Sequence, residues 1–87
     1  MFKKRRGIHV PYNKQGLIHF ICVNVKDMPE ETQQKIWDLC IEVGGRHCRA
    51  LYALMTDSNE SVRSISGKFF ISESQLYIYR RQFYEKW

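Results

Sequence analysis

Apolar positions along this chain recur mostly at three- and four-residue intervals, the pattern of helices that each bury one face. The clearest run follows Pro29, where Ile36, Leu39, Cys40 and Val43 fall at i, i+3, i+4 and i+7 with Trp37 on their flank. Pro29 suits the first position of that helix, Glu30 and Glu31 complement its N-terminal dipole, and Gly44-Gly45 ends it. From Arg46 a further run places Cys48, Leu51, Tyr52 and Met55 on one face, thickened by Ala50, Ala53 and Leu54. Thr56, Asp57, Ser58 and Asn59 then interrupt the pattern with residues that favour turns and caps. Residues 17–25 carry two signals. Leu17, Phe20, Ile21 and Asn24 have helical spacing, with Asn13 placed to cap them, whereas Ile18, Ile21, Val23 and Val25 are β-branched and suit a buried strand. Helix is the reading taken, because a lone strand has no partner elsewhere in the chain.

The C-terminal quarter has the most defined pattern. Val62, Ile65, Ser66 and Phe69 follow helical spacing, with Ser66 where crossing helices need a small residue and Gly67 beside it. Phe70 and Ile71 form a turn. Ser72 is then an N-cap, and Gln75 three residues on completes an S-x-x-Q capping box. Leu76, Tyr79 and Phe83 form the inward stripe of the last helix, with Trp87 one turn beyond Phe83 to pin its end. The expected fold is all-α: a four- or five-helix bundle over residues 13–87, closing in a helix-turn-helix at 61–87. A mobile basic arm at 1–12 precedes it, with Ile8 and Val10 as its anchors.

Composition narrows this further. A chain of 87 residues makes one small domain that buries about 60% of its unfolded surface. A hydrophobic content of 44% argues against disorder. No apolar run reaches the roughly 18 residues of a membrane span, and none follows the basic N-terminus as in a secretory signal. The 3 cysteines form no even framework, which points to reduced thiols in the cytoplasm. Charge is uneven. Residues 1–15 hold Lys3, Lys4, Arg5, Arg6 and Lys14 with no acid, so the net +5 of the chain resides there and the rest is balanced. A basic arm on a neutral domain suits polyanion contact through phosphate neutralisation.

The outward residues of the last helix point the same way. A helix in the major groove reads base edges mainly with its N-terminal residues. Gln75 pairs well with adenine, Ser74 with several bases, and Arg81 with guanine or phosphate, while Tyr77 and Ile78 lie away from the core stripe. Residues 61–84, above all Ile-Ser-Glu-Ser-Gln-Leu-Tyr-Ile-Tyr-Arg-Arg at 71–81, resemble the helix-turn-helix of small bacterial regulators. The similarity is to short regulators of phages and conjugative elements and to the promoter-reading domain of sigma factors.

That resemblance implies a transcriptional regulator that binds double-stranded DNA in the cytoplasm, associated with the nucleoid. Its recognition helix would begin at Ser72, with Ser74, Gln75, Tyr77, Ile78 and Arg81 facing the bases. Arg63, Lys68, Ser72 and Arg80 would meet phosphates, and the arm residues Lys3, Lys4, Arg5 and Arg6 would track the backbone or an adjacent minor groove. The related motifs usually carry Gly where Phe70 stands, because that position takes positive φ. Either the Phe70 ring is buried and the strain accepted, or the turn has another geometry.

Other chemistry finds less support. His19 and Cys22 lie one helical turn apart, with Cys40, Cys48 and His47 elsewhere, but their spacing matches no zinc pattern, so no metal or cofactor is expected. No phosphate loop, nucleophile elbow or apolar carboxylate pair suggests an enzyme. Asp38 and Glu42 sit on a face that should be solvated. The competing class is a protein-interaction module that binds RNA polymerase or another regulator, with Tyr77 and Ile78 as contacts. A homodimer through Phe83, Tyr84 and Trp87 is a further expectation, set against their packing on the core.

Overall fold

The computed structural model describes residues 7–87, in which α1 (Tyr12–Val23), α2 (Glu30–Gly44), α3 (Cys48–Thr56), α4 (Val62–Phe69) and α5 (Glu73–Lys86) follow in order. Short 3₁₀ turns at Val25–Asp27 and Gly45–His47 lead into α2 and α3, and no strand occurs among the described residues. The chain is an all-α bundle. Its centre is α3, which packs against α1, α2, α4 and α5.

Residues 17–25 are mainly helical, but the buried face of α1 is not the expected one. Gln15, Ile18 and Cys22 point inward, whereas Leu17 and Phe20 are 57% and 58% exposed. The register is set by Gln15, whose side-chain amide donates to the Val10 carbonyl at 2.8 Å from a fully buried position. That bond satisfies the polar group inside the core, where an unpaired amide would cost about 1–3 kcal/mol. Asn13 does not cap the helix: α1 begins after Pro11 with no side-chain cap.

The middle helices form where the sequence pattern places them. In α2, Ile36 and Cys40 are fully buried, Leu39 and Val43 are half-buried, and Trp37 meets Tyr52 of α3 edge-on at 5.3 Å between ring centroids. Pro29 stands just before α2 instead of at its first residue, with Glu30 and Glu31 in the first turn. Gly45 at φ 56° ends α2 in a backbone region that L-residues avoid, and Leu51 packs against Gly44. In α3 the buried face is turned from the expected one: Ala50, Leu51, Leu54 and Met55 are buried, whereas Cys48 and Tyr52 are half-buried against the core.

Candidate nucleic-acid interface

The last two helices are joined at residues 70–72, and each side of this turn is fixed by specific hydrogen bonds. At the start of α4, the Ser61 hydroxyl accepts from the Ser64 amide at 3.1 Å, and the Ser64 hydroxyl accepts from the Ser61 amide at 2.8 Å. This reciprocal capping box was not anticipated from the sequence. The Ser64 hydroxyl also lies 2.6 Å from a Glu60 carboxylate oxygen, to which it donates. At the far end of α4, Phe70 adopts φ 57°, ψ 45°, the left-handed region. The Ile71 amide reaches back to the Ser66 carbonyl at 3.3 Å, the six-to-one bond of a Schellman turn, and Ile71 is buried. The Ser66 hydroxyl donates to the Ile71 carbonyl at 2.6 Å, so this serine closes the turn.

Neither alternative posed for Phe70 holds. The turn keeps the positive φ that usually selects Gly, yet the Phe70 ring is 94% exposed. Gly67 is not needed for close approach either, since a Cβ there would meet nothing within 4 Å.

Ser72 caps α5 as expected, its hydroxyl accepting from the Gln75 amide at 3.1 Å. The capping box, however, is one-sided: the reciprocal bond from the Gln75 side chain is not among those formed by the described residues. Leu76, Phe83 and Tyr84 are fully buried, and Trp87 lies against Phe83 at 5.9 Å between centroids. Phe83 and Tyr84 therefore belong to the core and offer no dimer surface. Tyr84 takes the buried place that the sequence pattern assigned to Tyr79. Tyr79 is half-buried, and its hydroxyl bonds the Nδ1 of His47 at 2.9 Å, tying α5 to the junction of α2 and α3.

This anchoring leaves one face of α5 outward. Ser74, Tyr77, Ile78 and Arg81 are all exposed and fall at i, i+3, i+4 and i+7, a single stripe. Gln75 is half-buried and stands off that stripe by one helical step of about 100°. It is thus separated from the other predicted base contacts. Glu73 and Glu85 are exposed near the two ends of the stripe.

The predicted phosphate contacts divide. Arg63 is exposed, and Ser72 is exposed but spends its hydroxyl on the cap. Arg80 is half-buried with its guanidinium 5.1 Å from the Tyr77 ring centroid, in reach of a cation–π contact. Arg63 and Arg80 both line a cleft of about 440 Å³ that is also bordered by His19, Glu60, Glu73 and Tyr84. Lys68 forms an ion pair with Glu60. Hydrogen bonds from Lys68 and then Ser64 hold the Glu60 carboxyl below its ordinary range, and Glu60 in turn raises the Lys68 ammonium above its own. A phosphate would have to take Lys68 from this partner. Lys3, Lys4, Arg5 and Arg6 lie outside the described residues.

The residues that follow those four are nevertheless placed against α5. Ile8 and Val10 are buried in the core, as their apolar character suggested. Gly7 and Ile8 enclose a small pocket of about 120 Å³ together with Tyr77, Ile78, Arg80 and Arg81, and the His9 amide approaches Glu85 at 3.4 Å. Gly7 and Ile8 therefore lie beside the exposed stripe.

The cysteines are used as core residues. Cys22 and Cys40 are fully buried, and burial pushes each thiol up to about 12. Among the described residues no group of three or more His, Cys, Asp or Glu is arranged to hold a metal ion, and no helix is long and apolar enough to cross a membrane. Comparisons with protein-family models, with curated proteins and with solved structures gave no match to this chain.

Proposed function

We propose that this protein is a sequence-specific DNA-binding regulator that lays α5 in the major groove. The observation that carries this reading is the stripe Ser74, Tyr77, Ile78 and Arg81, outward on a helix whose start is capped and whose opposite side is buried. In the groove, Arg81 suits guanine, Ser74 several bases, and Tyr77 and Ile78 apolar base edges. Gln75, half-buried and off the stripe, is poorly placed to read adenine. Arg63, with the arm residues that precede Gly7, would supply phosphate contacts that set register. The resemblance to regulators of phages and conjugative elements supports a role in transcription control of that kind. A single unit offers a small interface, so tight binding would need a second copy or a partner protein.

A second reading is favoured by Leu17 and Phe20, exposed together on α1, and by the apolar half of the stripe. In it the domain binds a protein such as RNA polymerase, without reading DNA. In vitro selection from a random duplex pool, repeated at two salt concentrations, separates the two. Enrichment of a motif, with affinity falling steeply as salt rises, is the expected result. Retention without a motif, or no retention, refutes base reading by α5.

A further inference from the structure

The turn before α5 contains a residue that stability does not account for. Phe70 is the single non-glycine residue at positive φ among those described, and its ring is 94% exposed. Neither fact favours the folded chain: a Cβ in the left-handed region is strained, and an exposed phenyl gains nothing from burial. The position is also rigid. The Ile71 amide and the Ser66 carbonyl hold the turn on one side, the Ser66 hydroxyl and the Ile71 carbonyl on the other, and buried Ile71 fastens it to the core. Strain that the surroundings hold in place concentrates where a side chain must be presented to a partner. Phe69 beside it is 40% exposed, so the turn presents apolar surface.

Phe70 lies two residues before the Ser72 cap, at the end of α5 whose first turn would meet base edges. A phenyl ring there has no donor or acceptor for phosphate. In the major groove, the apolar group that a base edge offers is the thymine C5 methyl. We infer that Phe70 is a specificity-determining residue that packs on a thymine methyl at the groove edge beside the start of α5. This inference rests on the DNA-binding reading above.

The test uses the full chain and the duplex obtained by selection, with each thymine replaced in turn by deoxyuridine, which removes only the methyl. Wild type should lose about fourfold in affinity at one position, the preference of a single methyl for apolar surroundings. Phe70→Gly and Phe70→Asn, which tolerate the left-handed region, should bind the thymine duplex several-fold more weakly and ignore that replacement. Equal binding by wild type and both variants, with Arg81→Ala still impaired, would overturn the role of Phe70 and leave the α5 reading standing. A loss in both variants that is the same on thymine and deoxyuridine at every position would also overturn it, pointing to sugar or protein contact. Failure of wild type to select any duplex would defeat the underlying reading instead.

Discussion

Replacing Phe70 by glycine should make the protein more stable, against the usual effect of deleting an aromatic side chain. The left-handed conformation costs a residue with a Cβ about 1–2 kcal/mol relative to the right-handed one. Glycine removes that cost but loses roughly 0.5–1 kcal/mol through the greater freedom of its unfolded chain. Deletion of a core phenyl costs about 3–5 kcal/mol, but this ring is 94% exposed and its removal opens no cavity. The net expectation is a gain of about 0.5–1 kcal/mol, or roughly 2–8 °C in melting temperature for a domain of this size. Phe70→Ala is the control, because it deletes the ring and keeps the Cβ. Thermal and urea unfolding followed by far-UV circular dichroism would measure all three proteins. Glycine should exceed alanine, and alanine should match wild type. Glycine no more stable than alanine would mean that positive φ carries no cost here, and the argument from strain would fail with it.

Further outcomes can be measured with the same assays. Ser61→Ala breaks a reciprocal cap and should cost about 1 kcal/mol, whereas Gln75→Ala, which breaks no reciprocal bond at Ser72, should change stability by less than about 0.5 kcal/mol. Gly67→Ala, in a helix with open space around it, should stabilise by roughly 0.5–1 kcal/mol in urea unfolding. Deleting residues 1–6 should mainly flatten the salt dependence of DNA binding. Deleting 1–10 should lower the unfolding midpoint sharply, because it removes buried Ile8 and Val10 together with the carbonyl that accepts from the Gln15 amide. Alkaline titration carries a definite sign: the Cys22 and Cys40 thiols stay protonated in the folded chain up to about 12, against 9.0 for a free thiol. Their stabilisation is complete below 9.0 and is lost between there and about 12, at no more than about 1.4 kcal/mol per pH unit for each. Unfolding free energies measured across pH 8–10 should fall accordingly, and less so in a Cys22→Val variant.

The helices α2 and α3 were legible because their apolar residues keep strict spacing and Gly44-Gly45 marks a stop. α1 was legible as a helix but not in its facing. Apolar residues surround it on nearly every side, so spacing alone cannot choose between Leu17 with Phe20 and Ile18 with Cys22. The deciding contact is the bond from Gln15 to Val10, which exists only once the chain has turned at Pro11. For the candidate site, the stripe at Ser74, Tyr77, Ile78 and Arg81 followed from helical spacing, and Gln75 was misplaced by one position around the helix. The positive φ at residue 70 was foreseeable from the turn pattern, but not the exposure of the ring. The pairing of Lys68 with Glu60 runs the length of α4, from its last turn back to the residue before its cap, a separation that i+3 and i+4 spacing does not flag.

The central position of α3 has a consequence for cooperativity. It is 9 residues long, too short to persist alone in water, yet it touches each of the other four helices. Opening any one of them strips α3 of part of its support, so the helices should not unfold piecemeal. Slowly exchanging amides in α3 and α5 should share one opening free energy, equal to that of global unfolding. On that account α5 has no existence as a detachable unit, and a peptide of its sequence would not reproduce whatever the intact domain binds.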